Sequence, residues 1–387
     1  MAEPLWARPL RLGPVEAPLP VALAPMAGVT DLPFRTLCRS FGPGLFTTEM
    51  VTCRALLEGG ERTWRRLRQA AGQRPRSAQL YGVDPEVVAA AARLVVERDL
   101  ADHIDLNFGC PAPKVTRQGG GAALPWKLGH FRRIVAAAVA AAGPRPVTVK
   151  LRAGIDAEHL TYLEAGLAAE AEGAAGLTLH ARTAAQHYSG RADWTLIAQL
   201  KQAVRAIPVL GNGDVFEADD AVRLVRATGC DGVVVGRGCL GRPWLFADLA
   251  AAAAGRPERL RPPLGFVAEV IRRHGALLAE YRGCEAAAAR DLRGHLPWYF
   301  KGYPVGRQVR AAAGRIGSLA DLAALLDRLD PDAPHPGAAA EGGRGRAGGA
   351  KAPRLPEGWL DSRELGPAQR GALAMAEAEA AGAGAGG

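Results

Sequence analysis

The 387-residue chain has no apolar run approaching the roughly 20 residues that a membrane-spanning helix needs. Residues 1–20 are broken by charges and prolines and lack the apolar stretch of a secretory signal peptide. The cysteines Cys38, Cys53, Cys110, Cys230, Cys239 and Cys284 form no C-x-x-C pair, and no histidine stands at zinc-finger spacing from them. A disulfide framework and a structural zinc site are therefore not expected. These absences together point to a reducing cytoplasm and to a protein without membrane or metal partners; a monomer is the expectation. What the chain does have is a 48% hydrophobic composition, enough for one large core and a smaller companion, and a formal net charge of +9. That charge favours an anionic partner such as nucleic acid, but many basic proteins bind none.

Eight short apolar runs alternate with segments of helical periodicity. The runs begin at Val21, Leu45, Ser77, His103, Val147, Gly176, Pro208 and Gly232. Between them lie stretches such as DPEVVAAAARLVVERD and EADDAVRLVRATG, with apolar residues at helical spacing and an acid near the start. Strand-helix alternation implies a parallel sheet. An open doubly wound sheet is one solution. The eight-fold count and the polar residues at the strand ends favour a (β/α)8 TIM barrel over residues 21–255, after an N-terminal extension at 1–20. Residues 256–330 carry helical patterns and no clear strand, and predict a small all-helical domain. Residues 331–387 are rich in Ala, Gly and Pro, and predict a low-complexity, disordered tail.

In a barrel, chemistry sits where strands end. The positions there are Pro25-Met26-Ala27, Gln79, Asn107 to Pro111, Lys150, His180, Asn212-Gly213-Asp214 and Gly236-Arg237. The last two groups follow strands seven and eight, the usual phosphate site of this fold, although Asn-Gly-Asp is also an ordinary turn. Lys150 at a barrel mouth must meet a negative partner or shift its pKa. The edge of a reduced flavin, a salt bridge and a Schiff base are its three candidate roles. Cys110, in NFGCPAPKV, sits on a tight turn past strand four, which separates it from the other five cysteines; those read as structural.

The motifs PMAGVTD from Pro25, DLNFGCPAPKVTRQGGGAAL from Asp105, LHARTAAQHYSGRADW from Leu179 and PVLGNGDV from Pro208 resemble those of the tRNA-dihydrouridine synthases, the bacterial B-type in particular. So do TGCDGVVVGRGCLGRPWLF from Thr228 and GHLPWYFKGYP from Gly294, in matching order. The resemblance implies an FMN barrel followed by a helical domain that helps clasp tRNA, with NADPH or NADH as electron donor. It implies FMN contacts from Pro25, Met26, Ala27, Gln79, Lys150, His180, Asn212, Gly213, Asp214, Gly236 and Arg237, and a proton donor in Cys110. The glycine triplet in GGGAAL and the segment beyond Asp330 depart from the family's pattern.

The implied chemistry is hydride addition at uracil C6 with protonation of C5 by a thiol acting as general acid. The base would have to leave its stack to enter the mouth. Asn107, Lys114 and Arg117 near the cysteine, and Lys301, Arg307 and Arg310 in the helical segment, are the candidate tRNA contacts. Three other readings are an FMN barrel oxidoreductase for a small molecule, of the dihydroorotate dehydrogenase kind, a non-catalytic RNA-binding module and a Schiff-base aldolase. The basic stretch from Lys301 to Arg315 argues against the first of them.

Overall fold

A computed structural model describes residues 6, 8–345 and 348–375. The chain opens with a hairpin of β1 (Leu10–Leu12) and β2 (Val15–Ala17). Then come β3 (Val21–Leu23), α1 (Leu32–Arg39), β4 (Leu45–Phe46), β5 (Val51–Thr52), α2 (Cys53–Leu57), α3 (Glu61–Leu67), β6 (Ser77–Tyr81) and α4 (Pro85–Glu97). They continue with β7 (His103–Phe108), α5 (Pro113–Thr116), α6 (Leu128–Ala142), β8 (Val147–Arg152), α7 (Tyr162–Ala171), β9 (Gly176–His180) and α8 (Trp194–Ala203). The barrel ends with β10 (Val209–Asn212), α9 (Ala218–Thr228), β11 (Gly232–Val235) and α10 (Leu245–Ala253).

Strands β3 to β11 form one sheet, every paired neighbour parallel. β4 pairs with β3 and β5 pairs with β6, and a bridge from Thr47 to Ser77 joins the two ends. β4 and β5 are thus two pieces of one stave. All eight staves of the TIM barrel coincide with the eight apolar runs of the sequence.

Local chemistry sets the helix starts. Asp31 caps α1 by accepting from the Phe34 amide, and Asp84 caps α4 ahead of Pro85 at the first helical position. Glu217 and Asp220 form a reciprocal capping box on α9, which stops at Gly229 in the left-handed region at φ +68°. The apolar faces of these helices close on the outside of the barrel in one continuous core.

The hairpin is a feature the sequence reading left unassigned. Leu10, Leu12 and Ala17 are buried against Ala22, Leu45, Leu210 and Val234, and so plug the N-terminal end of the barrel. Beneath the mouth, the barrel interior retains only ≈ 20 Å³ of space, with Leu12 at its floor.

Beyond the barrel, α11 (Leu264–Arg282), α12 (Glu285–Tyr299), α13 (Gly306–Ala313) and α14 (Leu319–Leu326) build a second core. Leu37 of α1 and Trp244, next to α10, belong to that core, so the bundle is mortised into the barrel wall. Gly241 marks the joint. At φ +61°, it lies so close to the α12 backbone at Trp298 and Tyr299 that a Cβ would overlap it.

The segment after residue 330 departs from its expectation. Up to residue 375 the described part is packed, with Ala340, Arg344, Trp359 and Leu373 buried. Composition hid this because the packed residues are sparse: Trp359 and Leu373 join the barrel core and Leu355, Leu360 and Leu365 pack against it, among more exposed neighbours. Residues 376–387 of the expected tail lie outside the described residues.

Gly241→Ala combines left-handed backbone strain with a clash against backbone, and should cost about 3 kcal/mol of unfolding free energy. Urea unfolding of the variant against the parent measures it. An unchanged midpoint would mean that the bundle is not held at this joint.

Candidate active site

Strand register brings the site together. Asp105 lies beside Gln79 on one flank and Thr148 on the other, and Asn107 lies beside Lys150. Lys150 pairs with Thr178, Arg152 with His180, and His180 with Asn212. A mouth cavity of ≈ 560 Å³ is lined by all of Pro25, Met26, Ala27, Gln79, Asn107, Cys110, Lys150, His180, Asn212, Gly213, Asp214, Gly236 and Arg237. That volume lies within the roughly 300–1,000 Å³ of small-molecule and cofactor sites.

A chain of hydrogen bonds runs through the barrel interior to the cysteine. Asp105 accepts from Thr148 Oγ1 at 2.6 Å and from Gln79 Nε2 at 2.7 Å. With its amide nitrogen thus engaged, Gln79 turns Oε1 toward Asn107 Nδ2, 2.9 Å away. Asn107 Oδ1 then accepts from the backbone amides of Gly109 and Cys110, at 3.1 and 3.0 Å. On the other flank, Thr148 uses its proton on Asp105 and can only accept from His103 Nε2, 2.8 Å away. Burial holds His103 neutral, with its pKa lowered to about 4, so that proton sits on Nε2 and Nδ1 faces Ser77.

The mouth itself is cationic. Burial, aided by Arg152, lowers Lys150 to about 8, and its Nζ donates to Asn212 Oδ1 at 3.1 Å. Arg152 is buried and donates to the carbonyls of Gly109, Thr183 and His187. Arg182 clamps both oxygens of Asp214 at 2.8 Å, and Arg237 approaches the same carboxylate at 3.6 Å. Burial and these cations push His180 well below its ordinary value, leaving it a neutral imidazole. Burial raises the Cys110 thiol above its ordinary value, outweighing the opposing pull of Arg152, Lys114 and Lys150. The thiol therefore keeps its proton through neutral pH, as a proton donor must.

Gly213, at φ +125°, has no room for a side chain, since a Cβ would stand 2.6 Å from that of Ala192. Its carbonyl accepts from Trp194 Nε1 at 3.0 Å.

The candidate tRNA contacts are spread more widely. Lys114 and Arg117 are exposed at α5, just past the cysteine, outside the cavity lining. Arg307 is exposed on α13. Lys301 instead donates to the carbonyls of Glu341 and Gly343, and Arg310 to those of Phe300 and Tyr303.

Arg152, Arg182, Met50, Tyr188, Phe216, Trp298 and Gly345 also line the cavity, and sequence reasoning missed them. Two were within reach. Arg152 follows Lys150 by two positions in one strand, and strand alternation puts both on one face. Arg182 follows His180 by the same step. Trp298 and Gly345 arrive from remote parts of the chain and leave no local signal.

The model of the family described as Dihydrouridine synthase (Dus) matches residues 22–332. A protein of Mycobacterium tuberculosis (strain H37Rv) named "Probable tRNA-dihydrouridine synthase" is 54% identical over 375 residues, covering 95% of this chain and 96% of the relative. The "tRNA-dihydrouridine synthase B" of Xanthomonas axonopodis pv. citri is 38% identical over 322 residues, covering 83% of this chain and 96% of the relative. Among solved structures, a 2-naphthoyl-CoA reductase complex superposes with a TM-score of 0.52 at 14% identity, covering 66% of this chain and 53% of that one. That likeness concerns the fold alone.

Burial raises the Asp105 carboxyl from 3.8 to about 6, so the folded state binds a proton there more readily than the unfolded chain. Stability associated with this group therefore grows as pH falls through 6. Relative to Asp105→Asn, which cannot titrate, the parent should gain about 1 kcal/mol of unfolding free energy between pH 7 and pH 5. Urea titrations at the two pH values test this; a constant difference would mean the carboxyl is not held at a raised pKa.

Proposed function

Because the chain belongs to the dihydrouridine synthase family, a family of oxidoreductases, we propose that it reduces the C5=C6 bond of specific uridines in tRNA to 5,6-dihydrouridine, using FMN and NADPH or NADH. The observation that carries this reading is the single cavity in which a protonated thiol, a buried ammonium group and the glycine-bearing loops after β10 and β11 converge.

The donor set fits flavin mononucleotide. Gly213, Gly236 and Arg237 line the cavity at the ends of β10 and β11, where bare backbone and a positive charge would suit a phosphate. Lys150 would hold the pyrimidine edge of the ring system, and Pro25, Met26, Ala27, Gln79, His180, Asn212 and Asp214 would complete the contacts. Bound there, a flavin would supply the hydride-transfer chemistry. The chain's own residues do the rest. Asn107 fixes the backbone of Cys110 and helps seat the base, and the Cys110 thiol delivers its proton to C5. Lys150 is charged below about pH 8 and loses that charge above it, so its support for an anionic edge fades on the alkaline side.

The bundle and the exposed residues Lys114, Arg117 and Arg307 form the proposed tRNA face. Phosphate contacts release counterions, so binding weakens steeply with salt. Lys301 and Arg310 support this face by holding its backbone in place.

Two experiments follow. Cys110→Ala should bind FMN and be reduced by NADPH or NADH as the parent is, while single-turnover formation of dihydrouridine falls by about 10²-fold or more. A parental rate would move the proton's source elsewhere. Arg307→Ala should weaken tRNA binding and reduce the slope of log K against log salt by about one unit, with FMN content unchanged. Identical salt slopes for the two proteins would remove Arg307 from the interface.

A further inference from the structure

The glycine triplet at 119–121 and the segment beyond residue 332, where the family match ends, were both left without a role. They meet in space. From the bundle, the chain runs along the rim of the mouth. Lys301 holds the carbonyls of Glu341 and Gly343, and buried Arg344 donates to Ala340 and Trp298 carbonyls. Gly345 lines the cavity itself. The Lys351 amide donates to Ala185 at 2.8 Å, in the loop after β9. The segment then ends its crossing at Trp359, which is 1% exposed.

Trp359 sits directly behind the loop that follows the cysteine. Its Nε1 donates to the Ala123 carbonyl at 3.1 Å. Lys127 lies over the indole, 5.0 Å from the ring centroid, and donates to the carbonyls of Ser362 and Glu364 at 2.6 and 2.9 Å. Arg363 pairs with Glu164 and lies over Trp126 at 4.1 Å. Each glycine of the triplet faces a different wall: a Cβ on Gly119 would overlap the Trp359 ring, one on Gly120 the Tyr81 hydroxyl, and one on Gly121 the Cys110 carbonyl. Gly119 and Gly121 are in the left-handed region, at φ +79° and +54°. The next amide, Ala122, donates to the Cys110 carbonyl at 3.1 Å.

Three consecutive glycines make an intrinsically loose loop, because each has more backbone freedom to lose than any other residue. Here local hydrogen bonds order part of it, Gly119 and Gly120 donating to the Thr116 and Val115 carbonyls and a 3-10 turn starting at Gly121, and Trp359 closes its outer side. We propose that Trp359 is a positioning residue for the reaction: the C-terminal segment is a strap that wedges the 119–123 loop and thereby fixes the carbonyl, and so the thiol, of Cys110. Trp359 does not line the mouth cavity. It acts through the Ala123 and Ala122 contacts. The inference rests on the reading of Cys110 as the proton donor.

The test uses full-length Trp359→Ala and Trp359→Phe. Four quantities are read: flavin content, the rate of flavin reduction by NADPH, single-turnover dihydrouridine formation at saturating tRNA, and alkylation of Cys110 by iodoacetamide. Exposed Cys284 provides the internal clock for alkylation. With Trp359→Ala, flavin content and reduction should stay within about twofold of the parent, while dihydrouridine formation falls about tenfold or more, the scale of a misplaced reacting group. Cys110 alkylation relative to Cys284 should rise about fivefold as the thiol leaves its desolvated setting. Trp359→Phe keeps a ring in the wedge and should lie between parent and alanine variant in both readouts.

A parental rate with a parental alkylation ratio overturns the proposal. So does either change without the other, because a slower reaction with an unmoved thiol places the effect at the rim instead. Should Trp359→Ala lose flavin or fail to fold, Trp359→Phe decides by the same two readouts. If the parent itself makes no dihydrouridine, the enzymatic reading fails, whereas the alkylation ratio still reports whether the strap holds the loop.

Discussion

One buried carboxylate sets the polarity of the whole interior network. An ionised Asp105 can only accept, so both neighbours must donate to it. That single requirement orients the Gln79 amide, then the Asn107 amide, and finally presents an acceptor to the amides of Gly109 and Cys110. It equally decides which nitrogen of His103 carries the proton. A buried charge is costly unless its partners are complete. Here the partners are complete only in one arrangement, and that arrangement delivers the cysteine. The carboxylate is thus better understood as an organiser than as a stabiliser, consistent with a pKa pushed up to about 6.

The electrostatics of the mouth follow from the same economy of partners. Lys150, Arg152, Arg182 and Arg237 crowd one rim, and among the described residues Asp105 and Asp214 are the carboxylates that oppose them nearby. Arg152 resolves its burial by gripping three backbone carbonyls, which pins the turn carrying Gly109 to the loop at Thr183 and His187. Burial lowers the pKa of both groups, Arg152 to about 10 and Lys150 to about 8, so Lys150 is the one whose charge falls near the neutral range. A site with this residual positive charge is suited to anionic ligands, and a phosphorylated flavin and a nucleic acid are both of that kind.

The barrel was legible because its signals are local. Each stave is a short apolar run with a polar or turn-forming end, and register follows from having eight of them in a closed sheet. The cavity lining was legible for the same reason, since His180 and Asn212 end their strands and Gln79 and Lys150 stand two residues short of the ends of theirs. Arg152 and Arg182 were missed only by stopping one strand step too early. The path of the strap was not legible; in a tail expected to be disordered, Trp359 alone stood out as an anchor should the tail dock. Its sequence around Lys351 and Trp359 reads as polar, glycine-rich and proline-rich, and nothing local reveals that a glycine more than two hundred residues earlier has been left bare to receive the indole. The commitment of Lys301 to the Glu341 and Gly343 carbonyls was hidden for the same reason: its partners are backbone atoms of a distant segment.

The hairpin under the barrel has a consequence for traffic. With Leu10 and Leu12 seated beneath the staves, the interior is closed at that end, where a cavity of only ≈ 20 Å³ remains. Everything that reacts must then come and go through one doorway. On the reading proposed for this chain, the nicotinamide and the uracil would both use that doorway. A plug of two leucines on the far side of the barrel thereby limits where any visitor to the site can enter.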